Sequence, residues 1–161
     1  MYKLCFALIC LVFSGTAIAQ TNTFTQDPNG GGSSIIIATS GAEEAEGDVY
    51  FEEAEKNEKM GDLNDALTLF GKAAFEYNTS GNVSRYGASL LRLSNVHYLL
   101  EHYTEAEHVV LNVALKSYSR FGNRTGQMNS YSQLGKIYLA ANKLTQSMWF
   151  YTQQGILARQ V

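Results

Sequence analysis

The sequence predicts an all-α fold, an α-solenoid of three antiparallel helix pairs, and three observations predict it. A short phrase is rewritten at near-constant spacing: "GDLNDALTLFGKAA" (61–74), "EHYTEAEHVVLNVA" (101–114) and "NKLTQSMWFYTQQG" (142–155). Proline is absent after Pro28. From Ser40 onward apolar residues recur at the three- and four-residue spacing of a helix face.

The first residues, "MYKLCFALICLVFSGTAIAQ", place Lys3 before an apolar run from Leu4 to Phe13, then small residues and "AIA" ending at Ala19. A charged start, an apolar middle and a small-residue cleavage site make residues 1–19 a secretory signal peptide. The apolar run is about ten residues, short of the roughly 20 that a bilayer span requires. The expectation is an exported chain, periplasmic or secreted after cleavage near Ala19, with no membrane span. Cys5 and Cys10 both fall in this segment, so the mature chain has no disulfide and no thiolate metal site.

Residues 20–40 hold Pro28 and the triplet Gly30–Gly32, the composition of a flexible linker. "SIIIA" within it has strand propensity and no partner run. Order is expected to begin at Ser40, which stands three residues before Glu43 at the spacing of a capping box. Helices are then expected over 41–60, 63–78, 83–100, 103–121, 124–141 and 144–160, in units of about 41–80, 81–122 and 123–161. Gly61, Gly81 and Gly122 mark three breaks, because glycine enters the left-handed conformation that ends helices without a Cβ penalty.

Ala66, Ala106 and Ser147 align across the units, with Leu63, Tyr103 and Leu144 before them and Phe70, Val110 and Tyr151 after. In the preceding helices Tyr50, Leu90 and Tyr131 align, as do Ala54, Ser94 and Gly135. Small residues let paired helices approach closely, and large residues one turn away lock the gap. Each pair retains an apolar face, so pairs must stack.

The third unit, "YSQLGKIYLAANKLTQSMWFY", resembles a tetratricopeptide repeat: Tyr131, Leu134, Gly135 and Tyr138 occupy that family's W-x2-L-G-x2-Y positions. The first unit supplies Gly61, Ala66, Phe70 and Ala73; the middle unit has Leu93, Tyr103 and Ala106, with His97 where an aromatic is usual. The spacing of 40 or 41 residues exceeds the family's usual 34 or so, which resembles its long-repeat members. Val113 and Gln154 stand where the family has a small residue.

The resemblance implies a right-handed superhelix and a non-enzymatic scaffold that holds a peptide or partner helix in its concave groove. Carried over residue by residue, that groove comprises Phe51, Glu55 and Glu58; Leu91, Asn95 and Tyr98; and Ser132, Lys136 and Leu139, with Arg92 beside them. The alternative function is a self-associating structural or sensory subunit of an envelope signalling or assembly complex.

No catalytic, metal or cofactor residue is assigned. His97, His102 and His108 are five and six residues apart, which does not bring them to one helical face. No serine lies in a G-x-S-x-G context, and no glycine-rich loop follows a strand. Charge is uneven: ten acidic residues lie between Glu43 and Asp65, and none follows Glu107. This split favours head-to-tail contact or an acidic protein partner, and export argues against nucleic acid. Asn78, Asn82 and Asn123 match the N-glycosylation acceptor pattern. Finally, Trp149, Phe150, Ile156 and Leu157 in the last helix suggest an apolar patch suited to a homodimer or a partner helix.

Overall fold

The computed structural model describes the backbone of residues 34–160 and side chains from residue 41 onward. The expected signal peptide, both cysteines and the expected linker as far as residue 33 lie outside the described residues. Six helices, and no strands, are present among the described residues. They are α1 (Ser34–Met60), α2 (Leu63–Thr79), α3 (Val83–Leu99), α4, α5 (Arg124–Ala140) and α6 (Leu144–Ala158). Helix α4 is composite: Tyr103–His108 and Leu115–Arg120 are α-helical, and Val109–Ala114 between them is π-helical. α1 begins at Ser34 rather than at the expected capping box, so Ser40 is an interior helical residue and 34–40 extends the helix into the expected linker.

Five turns of one design join the helices. Gly61, Gly81, Glu101, Gly122 and Asn142 all have positive φ, at spacings of 20, 20, 21 and 20 residues. In each turn the left-handed residue donates its N–H to the carbonyl three residues back, and the next residue donates to the carbonyl five back. At Gly61 these are Glu58 O (3.2 Å) and Asp62 N–H to Asn57 O (2.9 Å); at Asn142 they are Leu139 O (3.0 Å) and Lys143 N–H to Tyr138 O (2.8 Å). This Schellman pairing satisfies carbonyls that a helix end leaves free. On the far side of their turns, Asn82 and Asn123 accept from Arg85 N–H (3.0 Å) and Gly126 N–H (2.8 Å) as N-caps.

Consecutive helices run antiparallel, because low-numbered positions of one meet high-numbered positions of the next. The aligned small residues lie at these contacts. Ser94 Oγ donates to Ala106 O at 2.9 Å, and Ser147 Oγ to Gly135 O at 2.8 Å, both across 12 residues of sequence. Ala54 and Ala66, the equivalent positions of the first pair, are fully buried. Three core clusters follow along the chain, and they bridge the pairs. Val96 of α3 joins Ala54, Ala66 and Phe70; Ala106 and Val110 of α4 join Leu134, Ile137 and Tyr138 of α5. Burying each large side chain here contributes about 1.5–3 kcal/mol.

The π-helical segment explains why the last spacing is 41 rather than 40. The pattern of buried and exposed residues over 61–70 is the same over 101–110. Beyond it the match needs one extra residue in α4: buried Ala73 and Tyr77 correspond to buried Ala114 and Tyr118. A π-turn closes its hydrogen bond across five residues instead of four, as Leu115 N–H does to Val110 O, and so absorbs one inserted residue. Ala114, not Val113, therefore supplies the small residue late in that helix.

Candidate protein-binding groove

On α3, Leu91, Arg92 and Asn95 share one face; on α5, Asn129, Ser132, Gln133 and Lys136 recur at helical spacing and share another. Because α3 and α5 touch, these two faces line a shallow depression of about 280 Å³. Five residues expected at the groove are thus brought together: Leu91, Arg92, Asn95, Ser132 and Lys136.

The expected α1 residues meet them through an ionic network. Arg92 Nη2 lies 3.2 Å from Glu55 Oε1 and 2.8 Å from Glu58 Oε2. The second approach is close in distance but off hydrogen-bond alignment, since Glu58 Oε2 has no hydrogen-bond partner among the described residues. Asn95 Nδ2 donates to Glu58 Oε1 at 2.7 Å. The guanidinium also sits 5.6 Å from the centre of the Phe70 ring. Arg92 is therefore neutralised and held, and Lys136, exposed and in no ion pair among the described residues, is the groove's available cation.

Two expected groove residues do other work. Phe51 turns inward and meets Phe70 edge-on at 5.3 Å, in the first core cluster. Tyr98 packs 6.0 Å from Tyr103 and supports the third-pair core. Both take these positions because the aromatic ring gains more from burial than a water-facing groove wall would return.

Gln133 was not anticipated. Its side chain is buried in the floor of the depression, and its Nε2 has no hydrogen-bond partner among the described residues. A buried amide N–H group without a partner costs about 1–3 kcal/mol, a cost that a bound carbonyl oxygen, accepting from Nε2, would offset. The sequence signal was its place on the inward stripe of α5 beside Ser130, Leu134 and Ile137, where an apolar residue would ordinarily stand.

Elsewhere, His97 and His102 have rings 6.1 Å apart. Burial pushes the His97 pKa down, His102 adds to this, and Glu105 partly opposes it. No group of three or more His, Cys, Asp or Glu residues is placed to hold a metal ion among the described residues. The tyrosines that buttress the pairs are shifted too: burial, with smaller effects from hydrogen bonds to Asp48 and Glu107, pushes Tyr77 and Tyr138 up to about 12, and burial alone does so for Tyr118.

A larger open depression, about 570 Å³, lies between Tyr77, Tyr86, Asn112, Lys116 and Phe121. It contains no residue expected at the groove and no unpartnered buried side-chain atom, so size alone does not make it the better site.

The C-terminal patch requires a correction. Phe150 is buried, stacked on Tyr138 at 5.1 Å, and belongs to the core rather than to an exposed surface. Trp149 stands edge-on to Phe150 at 4.8 Å and is 54% exposed; Ile156 is also exposed, and Leu157 is half-buried. No helix among the described residues is long and apolar enough to cross a membrane. No protein-family model matches this chain, and comparison with curated proteins finds no match.

Proposed function

We propose that this chain is an exported, non-enzymatic interaction scaffold of the tetratricopeptide type: a right-handed α-solenoid of three helix pairs that holds an extended peptide or a partner helix. The small residues 12 apart in each pair, the five equivalent turns and the recurring burial pattern support the solenoid reading. The leader at 1–19 supports export.

One observation carries the binding reading. Residues expected from the sequence at a concave groove converge on a depression whose floor holds the buried amide of Gln133 next to Lys136, the first unpartnered and the second unpaired among the described residues. That chemistry suits a peptide: backbone carbonyls or amides meet Gln133, Asn129 and Ser132, an acidic side chain meets Lys136, and Leu91 offers apolar contact.

The test is panning a displayed random-peptide library on the purified chain, then measuring the selected peptides against variants. Gln133→Leu and Lys136→Glu are expected to weaken binding at least about tenfold, equivalent to about 1.4 kcal/mol. Lys116→Glu, in the other depression, should leave it unchanged. Peptides that bind the groove variants as tightly as the wild type would remove the groove from the account.

A further inference from the structure

Helix α6 carries no charged residue from Leu144 to Ala158. An exposed helix face ordinarily carries charged or polar residues, yet among the described residues only the face bearing Ser147 and Phe150 is buried here, and large apolar side chains stand on the uncovered one. Of the exposed large apolar residues among the described residues, Leu144, Met148, Trp149, Tyr151 and Ile156 all belong to this one helix.

The uncovered face has an internal order. Met148, Trp149, Thr152, Gly155 and Ile156 fall at i, i+1, i+4, i+7 and i+8, a single stripe along the helix, and all are exposed. Gly155 is its informative member. A Cβ there would meet nothing within 4 Å, so the monomer gives no reason for a glycine that costs about 1 kcal/mol relative to alanine in a helix. Gly41 and Gly71 are equally open, but they sit beside charged neighbours, Glu43 and Lys72 respectively.

We propose that this stripe is a twofold interface with a second copy of the chain, with α6 packed antiparallel on its counterpart around Thr152. Antiparallel pairing about that residue sets Met148 opposite Ile156 of the second copy and Trp149 opposite its Gly155. The indole then fills the space the missing side chain leaves, and Thr152 meets itself on the axis.

Charge selects this occupant. A self-contact of an uncharged helix brings no like charges together. Head-to-tail contact with α1 would instead cover exposed Glu46, Glu52, Glu53, Lys56 and Lys59 with an apolar face that offers them no partner. Area agrees: at about 150–250 Å² for a large side chain, the exposed fractions of Leu144, Met148, Trp149 and Ile156 amount to roughly 400 Å² per copy. With Thr152 on the axis and Thr145 and Tyr151 at the rim, the pair approaches the lower bound of about 1,200 Å² for specific interfaces. The proposal does not depend on the groove, which lies on α3 and α5.

The test uses the full chain with Cys5 and Cys10 replaced by Ser, so that a single introduced thiol reports geometry. Under mild oxidation at micromolar concentration, Thr152→Cys is expected to form a disulfide-linked dimer much faster than Phe75→Cys, an exposed site on α2. Adding Gly155→Leu to Thr152→Cys should slow that cross-link by about tenfold or more, with helical circular dichroism and thermal stability undiminished, because the leucine has open space in the monomer. Cross-linking of Thr152→Cys no faster than of Phe75→Cys, or at a rate insensitive to Gly155→Leu, would overturn the interface.

Discussion

The ring of Tyr118 occupies the space that a Cβ on Gly126 would need, so the end of α4 presses directly on the backbone of α5. The same ring fills the corresponding space at Gly87 on α3, and Tyr77 does so at Gly47, where an added Cβ would lie 2.9 Å from the ring. A tyrosine late in one helix seated on a glycine of a neighbour is thus a second kind of small-on-large contact, beside the aligned alanines and serines.

Gly126→Ala is therefore expected to destabilise the chain. Alanine gains about 1 kcal/mol over glycine in helix propensity, but the added carbon collides with the root of a buried, inflexible ring. Overpacking of this kind costs about 1–3 kcal/mol, so the net change should be a loss. Gly155→Ala, with open space around it, should gain stability in the monomer. Urea unfolding of the two variants checks the contrast, and a Gly126→Ala chain as stable as the wild type would mean the ring can yield.

At Glu101 the turn design is realised by an unsuitable residue. Its φ of 61° lies in the left-handed region, where an L side chain costs about 1–2 kcal/mol. The side chain is exposed and makes no hydrogen bond or ion pair among the described residues. Glu101→Gly should raise stability by about 0.5–1 kcal/mol, the steric relief being partly offset by the freer unfolded chain. Asn142→Gly should gain less, because asparagine tolerates this conformation better. A lower melting temperature for Glu101→Gly would show that the side chain has a role the geometry does not reveal.

These two cases show what the sequence could convey. Gly61, Gly81 and Gly122 marked their turns because only backbone freedom explains a glycine there, whereas Glu101 occupies the same geometry with no chemical sign of it. The aligned small residues were readable because a pair contact needs both partners small. The seating of Tyr118 between Gly87 and Gly126 was not, since it joins residues 31 and 8 positions away that no helical period relates. Phe150 misled for a related reason: its sequence neighbours suggest a patch, but a helix turns 100° per residue, so Trp149 faces out while Phe150 faces Tyr138. Gln133 was hidden because a polar residue on a helix is expected to face water.

His97 makes stability depend on pH in the weakly acidic range. Burial lowers its folded pKa below the unfolded value of about 6.5. The unfolded chain then binds the proton first, so stability falls as pH drops below about 6.5 and stops falling below the folded pKa. His102 and Glu105 are the titrating groups that act on it, the first reinforcing the shift and the second opposing it. His97→Tyr, which installs an aromatic of the kind usual in the resembling family, should flatten that part of the profile. Melting temperatures measured from pH 7.5 to 5 check this; an unchanged slope in His97→Tyr would assign the loss to other groups.

The last prediction concerns the π-helical turn. Between Ala106 and Tyr118 there is one more residue than between Ala66 and Tyr77, and the surplus falls within Val109–Ala114. If the π-turn exists only to absorb that residue, then deleting one residue inside it should restore a continuous α-helix without moving either end. Asn112 is the residue to remove: it is exposed, and its side chain only accepts from Lys116 at 3.3 Å. Its deletion leaves Val110 in register with Ala106 and brings Ala114 and Tyr118 to the spacings of Ala73 and Tyr77. The shortened chain should retain its full helical signal and a stability within about 1 kcal/mol of the wild type, or higher, because π-turns close fewer well-formed hydrogen bonds. Hydrogen exchange gives the sharper reading, with the amides of residues 109–115 becoming slower once each bonds to the carbonyl four residues back. Loss of cooperative unfolding on deletion would show that Asn112 and its π-turn hold the seat of Tyr118, and that the extra residue is part of the packing rather than an insertion the helix tolerates.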